Sequence, residues 1–168
     1  MRSIAQTTDS LENDLTNSIS GYCGYKVPET RHKTDKRLRE FISEKLQRIE
    51  KDLSLFEHRF YQKNKNADLN PFHRISLSLK MLIQMLMEPS SNENHFFTQS
   101  KINQDKIIQL YEYDIQLMNQ VDILVDEVKE LDNINGEYEI DEILNHFYDL
   151  IDGLNQILSE RAFLIMSE

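Results

Sequence analysis

The sequence is poor in residues that interrupt helices: its 168 residues include four glycines, three prolines and no tryptophan. Such a composition favours long helices with few turns. The single cysteine, Cys23, cannot form an internal disulfide, which fits a reducing compartment and predicts a cytoplasmic protein. No apolar run approaches the ~20 residues needed to cross a bilayer. The first residues, MRSIAQTTDSLENDL, contain acids and lack the apolar centre of a secretory signal.

The formal net charge of −10 argues against general nucleic-acid binding. The charge is unevenly spread, because residues 26–51 are rich in Lys and Arg whereas residues 105–160 are strongly acidic. One interpretation of the basic segment is a contact for phosphate or anionic lipid. The other is a solvated helix face that complements the acidic half of the same chain. The sequence leaves both open.

Two stretches repeat apolar residues at alternating steps of three and four, which places one apolar stripe along each of two helices. One charged residue interrupts each stripe, Asp114 in the first and Arg161 in the second. The stripes consist of Ile107, Leu110, Asp114, Leu117, Val121, Leu124, Val128 and Leu131, and of Ile140, Ile143, Phe147, Leu150, Leu154, Ile157, Arg161 and Leu164.

The patterns predict an all-α fold, an antiparallel up-down-up-down four-helix bundle with an additional N-terminal helix. We expect one domain over residues 1–168, in which the helix within 1–20 packs peripherally or mediates self-association. Residues 89–100 should form a mobile loop that Phe96 and Phe97 anchor on the bundle end. Ser100 can cap the following helix. The predicted helices cover about residues 3–20, 28–63, 71–88, 101–132 and 139 to near the C-terminus.

An antiparallel layout brings a set of polar residues to one end of the bundle. Asp114 and Arg161 occupy core positions, and a buried ion is costly unless it is paired, so each predicts a partner. The set is either a recognition site for an anionic ligand or a partner helix, or a buried salt-bridge network. No nucleophile–base pair is evident, so we predict no catalytic residue. Its members are Tyr22, Tyr25, Arg31, Asp35, Arg39, Tyr111, Asp114 and Arg161.

The opposite end gathers His58, His73 and His146 with Glu57 and Glu142. Bundle proteins with di-iron sites use inward Glu-x-x-His motifs. None of these three histidines has that spacing, so we predict neither a metal site nor a cofactor and keep metal binding as an alternative.

The methionines at positions 81, 85 and 87 are adjacent to one helix end. Methionine is unbranched and fills irregular gaps, so we expect adaptable packing there. A groove for a partner is the alternative interpretation.

The stretch GYCGYKVPETRHKTDKRLREF resembles a group of small helical prokaryotic proteins that share a Gly-Tyr-x-Gly-Tyr-Lys turn followed by Asp-Lys-x-x-Arg. A second similar stretch is LYEYDIQLM, residues 110–118. The resemblance implies that the two motifs act together, and it supplies no activity, substrate or cofactor. The matching positions are Gly21, Tyr22, Gly24, Tyr25, Lys26, Glu29, Arg31, Asp35, Lys36 and Arg39.

Together these features predict a non-enzymatic interaction or scaffold module whose partner is another protein or a second copy. We expect its contact surfaces to be the basic start of the second helix, the GYCGYK turn and the first helix. Homodimerisation through the first helix is expected because its apolar stripe is thin. Peripheral binding to anionic membranes through Lys33, Lys36, Arg37 and Arg39 is one alternative, and a metal-binding bundle is the second.

Overall fold

The structure is a computed structural model that describes residues 4–88, 91–131, 133 and 137–167. These residues form six helices and no strand, which confirms the all-α prediction. Nothing is described of the side chains of residues 4–7, 91–94 and 137–139. The sequence places Ile4 on the apolar face of the first helix with Leu11, Leu15 and Ile19, and that expectation for Ile4 lies outside the described side chains. The helices are α1 Ile4–Ser18, α2 Pro28–Lys63, α3 Asn70–Met87, α4 Ser91–Thr98, α5 Gln104–Leu131 and α6 Glu137–Met166.

The longest helix, α2, begins where its sequence favours a helix start. Pro28 lies in its first turn, where the missing N–H has no partner to lose, and Glu29 faces the positive end of the helix dipole. Its stripe from Leu38 to Phe56 is buried. The apolar period of the sequence therefore sets both the extent of α2 and the face that enters the core.

The four long helices each pack against two of the others. α2 contacts α3 and α5, and α6 also contacts α3 and α5. The Tyr148 hydroxyl donates to the Pro71 carbonyl at one end of the α3–α6 pair, whereas Met85 and Met166 line one cavity at the other end. α3 and α6 therefore run side by side in the same direction, and α2 lies diagonally across the core from α6.

The expected loop over residues 89–100 is wrong for most of its length, because Ser91–Thr98 form α4. This helix contacts α2 and α6 at the end of the long helices. Phe96 and Phe97 are buried there, as predicted for the anchor. A Ser- and Asn-rich segment has little intrinsic helix propensity, so tertiary burial of the two rings stabilises the helix.

The first helix packs within the chain. α1 contacts α5, and Leu15 and Ile19 at the end of α1 are fully buried. The apolar stripe that was expected to be peripheral is thus part of the core. Two buried aliphatic side chains are enough to hold α1 in place, because they pack against α5, which itself packs against α2 and α6.

Two smaller expectations fail. α5 begins at Gln104, not at the predicted Ser100 cap, because the Asn103 side chain accepts the Asp105 N–H at 2.9 Å and satisfies the free helix start. Met81, Met85 and Met87 are about half exposed and do not pack as expected. The expected connection between the helices that end near residue 132 and begin near residue 139 includes Gly136, and residues 132 and 134–136 lie outside the described residues. Among the helices described, none is long and apolar enough to cross a membrane.

Burial of α1 predicts a stability effect at Leu15. Leu15→Ala should lower the free energy of unfolding by about 2–5 kcal/mol, because it removes a fully buried side chain and leaves a cavity. Urea unfolding followed by circular dichroism measures the change. Met87→Ala, on an exposed side chain, is the control and should change stability by less than about 0.5 kcal/mol. Equal, small effects would show that α1 is not part of the cooperative unit.

Candidate functional site

The predicted polar residues lie where α2 and α5 begin and α6 ends. The turn before α2 directs two tyrosines into this region. Gly21 and Gly24 have φ values of +87° and +79°, a backbone region that side chains disfavour, and the turn buries Tyr22 and Tyr25. We call Tyr22, Tyr25, Asp35, Arg39, Tyr111, Asp114 and Arg161 the polar cluster.

Asp114 is fully buried and accepts three hydrogen bonds. Arg161 Nε donates to its Oδ1 at 2.8 Å, and the hydroxyls of Tyr22 and Tyr25 each donate to its Oδ2 at 2.7 Å. The carboxylate therefore joins α5, α6 and the turn before α2. A buried carboxylate with this number of donors is compensated for much of its lost hydration.

Asp35 is the second acceptor of the cluster. Arg161 Nη2 donates to Asp35 Oδ1 at 2.7 Å, and Arg39 Nε donates to Asp35 Oδ2 at 2.8 Å. The same Nη2 also donates to the Tyr25 hydroxyl at 3.0 Å. Arg161, which is 2% exposed, thus reaches diagonally across the core from α6 to α2.

Tyr111 and Arg31 hold the turn by its backbone. The Tyr25 N–H donates to the Tyr111 hydroxyl at 2.8 Å, and Arg31 Nε donates to the Tyr25 carbonyl at 2.7 Å. Arg31 also donates through Nη1 to the Gln99 carbonyl at 2.7 Å, which links the turn to the residues after α4. Arg31 is therefore buried against carbonyl oxygens, whereas Arg39 and Arg161 bind the carboxylates.

Aromatic rings enclose the centre of the cluster. The Tyr25 ring stacks on Phe97 of α4 with centroids 5.6 Å apart, and it meets Tyr22 edge-on at 5.9 Å. Such pairs contribute packing beyond their buried area. α4 thereby covers the ionic contacts and keeps them away from bulk water.

Sequence analysis missed two contributors at this end. Thr34 is fully buried; it donates to the Gly24 carbonyl at 3.0 Å and accepts the Cys23 N–H at 3.3 Å. Gly24 is tightly enclosed, since a Cβ there would lie 2.2 Å from Glu12 Oε1 and 2.8 Å from the Tyr111 hydroxyl. Thr34 lies four residues before Leu38 on the buried face of α2, and this spacing could have predicted its burial. No feature of the sequence indicated that Glu12 of α1 approaches Gly24.

Burial and ion pairing shift the two aspartates in opposite directions. Burial raises the pKa of Asp114, and the contacts with Arg161, Tyr25 and Tyr22 offset only part of that effect. Burial would also raise the pKa of Asp35, but Arg161 and Arg39 outweigh it and lower the pKa. The two pKa values shift in opposite directions because Asp114 has one arginine partner and Asp35 has two.

Arg161 and the three tyrosines of the cluster keep their ordinary charge at neutral pH. Burial would lower the pKa of Arg161, but Asp114 and Asp35 raise it above the ordinary value. Burial raises the pKa of Tyr22, Tyr25 and Tyr111. The tyrosines are therefore neutral donors, and the arginine is a cation.

All four carboxylate oxygens of the two aspartates are thus occupied by donors of this chain. The arrangement fixes the helices relative to one another. Because every carboxylate oxygen already accepts a hydrogen bond, none is free to take part in proton transfer. A cavity of about 280 Å³ lies next to the cluster, between α2, α3 and α6. Its lining includes Arg39, Arg161, Met85, Ala162 and Met166.

Two of the three histidines considered for metal binding, His73 and His146, approach separate glutamates, and His58 is exposed. His73 Nε2 is 2.9 Å from Glu57 Oε1, and His146 Nδ1 is 3.0 Å from Glu127 Oε1. Within the part of the chain that the structure describes, no group of three or more His, Cys, Asp or Glu side chains is arranged to hold a metal ion.

Asp114 gives a direct test of the cluster. Asp114→Ala should lower the free energy of unfolding by about 3–5 kcal/mol, because it leaves Arg161 and two tyrosine hydroxyls with lost partners. Chemical denaturation measures the loss. Asp122→Ala on the same helix is the matched control: its carboxylate pairs with Lys45 at the surface, so its loss should be below about 0.5 kcal/mol. Similar losses for the two variants would contradict the buried network.

The lowered pKa of Asp35 predicts a pH dependence. Below the ordinary value of 3.8 the unfolded chain takes up this proton before the folded chain does. The stabilisation by the Asp35 charge is therefore complete above that pH and is lost as the pH falls towards the folded value. The stability difference between the unaltered protein and Asp35→Asn, measured by urea unfolding, should be constant from about pH 7 to about pH 5 and should shrink as the pH falls below 3.8. A constant difference would contradict the ionised, paired state of Asp35.

Comparison with known proteins adds no assignment to this geometry. No protein-family model, no curated protein and no solved structure matches the chain. The function must therefore be inferred from where the described residues place charge and apolar surface.

Proposed function

We propose that this protein is a non-enzymatic interaction module whose contact surface is the outer face of α3 and the end of α6. One observation carries the proposal. Of the ten large apolar side chains that are exposed among the described residues, six lie on these two helices, and five of these six lie together. Apolar patches of this kind on otherwise polar proteins commonly bind other proteins. The five residues, which we call the apolar patch, are Leu77, Met81, Met85, Phe163 and Met166.

The patch is continuous across the two helices. Leu77, Met81 and Met85 follow one another at steps of four along α3, so they share one side of it. Met85 and Met166 line the same cavity, which joins the α3 row to α6. Phe163 lies one turn before Met166 and is 71% exposed. Flexible methionines at the centre suit a surface that adapts to a partner.

The polar cluster supports a structural role for the charged end. Tyr22 and Tyr25 point inward, so neither ring is available for a contact with a partner. Asp114 and Arg161 bind each other, and their remaining hydrogen bonds go to Tyr22, Tyr25 and Asp35. Catalysis by acid–base chemistry requires a group that can reach a substrate proton, and the hydrogen bonds of the cluster oppose that role.

We further propose that the four long helices run alternately up and down, with α4 passing diagonally over one end. Short connections and the contacts of α2 and α6 with α3 and α5 support this arrangement.

The resemblance to the small prokaryotic proteins is also kept as a proposal. Its two motifs touch one another, since Tyr111 and Asp114 bind Tyr25.

The membrane alternative has weaker support. Of the cations proposed to meet lipid, Arg39 is buried in the polar cluster, and Arg37 binds the Ser20 carbonyl and Glu44. Lys33 and Lys36 remain exposed, and Lys36 lies 3.8 Å from Glu40. Acids of the same helix therefore offset much of the expected positive patch. The cytoplasmic location stays a proposal that rests on the single cysteine.

Site-specific photo-crosslinking in the native cells tests the function. A photoreactive amino acid at position 81, at the centre of the α3 row, should give crosslinked species of higher mass. The matched control replaces Leu55 on α2, which is exposed to a similar extent but lies outside the apolar patch. Crosslinks at position 81 and few at position 55 support the proposal. No crosslink at position 81, or equal yields at both positions, would overturn it.

A further inference from the structure

One exposed stripe of α3 is symmetric in its chemistry about its own centre. We call Arg74, Leu77, Met81, Met85 and Glu88 the α3 stripe. All five side chains are exposed, and within the described residues α3 packs only against α2 and α6. The opposite side of α3 is buried through Phe72, Ile75, Leu79, Leu82 and Leu86. The stripe is therefore the outward face of this helix.

Met81 is the midpoint of the stripe. Leu77 and Met85 each lie four residues from it, and Arg74 and Glu88 each lie seven residues from it. When a helix pairs antiparallel with an identical helix, residues equidistant from the two-fold axis face each other. Such pairing places Leu77 against Met85 of the other copy, and Arg74 against Glu88. The two-fold axis produces each contact twice, so Met85 also faces Leu77 of the other copy, and Glu88 also faces Arg74 of the other copy.

We propose that a second copy of this chain occupies the apolar patch, with the two α3 stripes antiparallel and the two-fold axis at Met81. The inference deepens the proposed interaction function and rests on it. Charge complementarity selects this occupant, because the two ends of the stripe carry opposite charges that meet only in the antiparallel arrangement. A parallel pair would place Arg74 on Arg74 and Glu88 on Glu88, which is repulsive.

The end of α6 extends the contact. α3 and α6 run in the same direction, so Met166 and Phe163 flank Met85 and face the N-terminal half of the other copy's α3. Arg74 lies over the Tyr148 ring at 5.1 Å, which holds its guanidinium at the edge of the stripe. Glu88 lies directly after α3 and lines the cavity beside Met85.

The available area fits a modest dimer. Each of the five apolar residues is at least 50% exposed, so their association would remove a large apolar area from water. A standard interface buries ~800 Å² per partner, so the flanking polar residues must also contribute to the contact. Isologous pairing also closes the assembly at two copies, because each patch is used once.

Sedimentation equilibrium of the full chain tests the dimer. The unaltered protein should show a concentration-dependent monomer–dimer equilibrium. Met81→Glu places two carboxylates against each other on the axis and should raise the dissociation constant about tenfold or more. Met87→Glu, which alters an equally exposed methionine of α3 outside the stripe, is the control and should leave the constant unchanged. Equal effects of the two variants, or a protein that is monomeric throughout, would overturn the proposal.

Charge reversal tests the antiparallel pairing. Arg74→Glu alone and Glu88→Arg alone each place like charges opposite one another and should weaken the dimer. The double variant restores opposite charges and should recover most of the lost affinity. Circular dichroism of each variant confirms that the helices remain. A double variant no tighter than either single variant would overturn the assigned pairing.

Disulfide trapping tests the position of the axis. In a Cys23→Ser background, which removes the natural cysteine, Met81→Cys should form a covalent dimer on mild oxidation, whereas Met87→Cys should not.

Photo-crosslinking distinguishes failure of the dimer proposal from failure of the interaction function. A crosslink from position 81 to a different protein, with a monomeric purified chain, would overturn the dimer and retain the interaction function. No crosslink and no dimer would overturn both.

Discussion

A buried guanidinium organises this protein. Arg161 is enclosed by the helices, where an unpaired cation would be strongly unfavourable, so its position depends on Asp114 and Asp35. These two acids come from α5 and α2, and the three helices can therefore pack in only one register. Replacing the ions by apolar residues could give equal stability, but it would not specify the register in the same way. The two tyrosines before α2 complete the hydrogen bonds and tie the turn to the same centre.

The buried charged groups and the exposed apolar side chains have separate roles in this fold. Ionic groups at one end of the core fix the relative positions of helices, and the rings of Phe97 and Tyr25 shield them from water. Most of the exposed large apolar side chains of the described residues lie on α3 and α6, whereas α1 packs against α5. The outer face of α3 therefore remains available for contacts. It also explains why the motif-bearing turn contributes to stability more directly than to recognition.

Prediction from sequence succeeded where a local pattern had one physical solution. The stripes of α2 and α5 gave their buried faces, and the charges at 114 and 161 indicated paired ions at one end. It failed where packing overrode local preference. α4 is helical because Phe96 and Phe97 are buried, despite a Ser- and Asn-rich sequence. Methionines 81, 85 and 87 are exposed because the buried face of α3 is already occupied by Phe72, Ile75, Leu79, Leu82 and Leu86. The broad apolar face of α6 also buries Leu144, Ile151 and Ile165 outside its heptad positions.

The amino-acid sequence by itself determined the all-α class, the extent of the long helices and the need for partners at Asp114 and Arg161, because periodicity and ion desolvation act locally along a chain. Only the tertiary structure decided which partners are used. Asp35 pairs with Arg161, whereas Arg31 binds the Tyr25 carbonyl, since the diagonal placement of α2 and α6 brings the Asp35 carboxylate within reach of Arg161. Likewise, only packing decided that α1 is covered by α5 and that the outer face of α3 is not, because neighbour choice depends on contacts between residues distant in sequence.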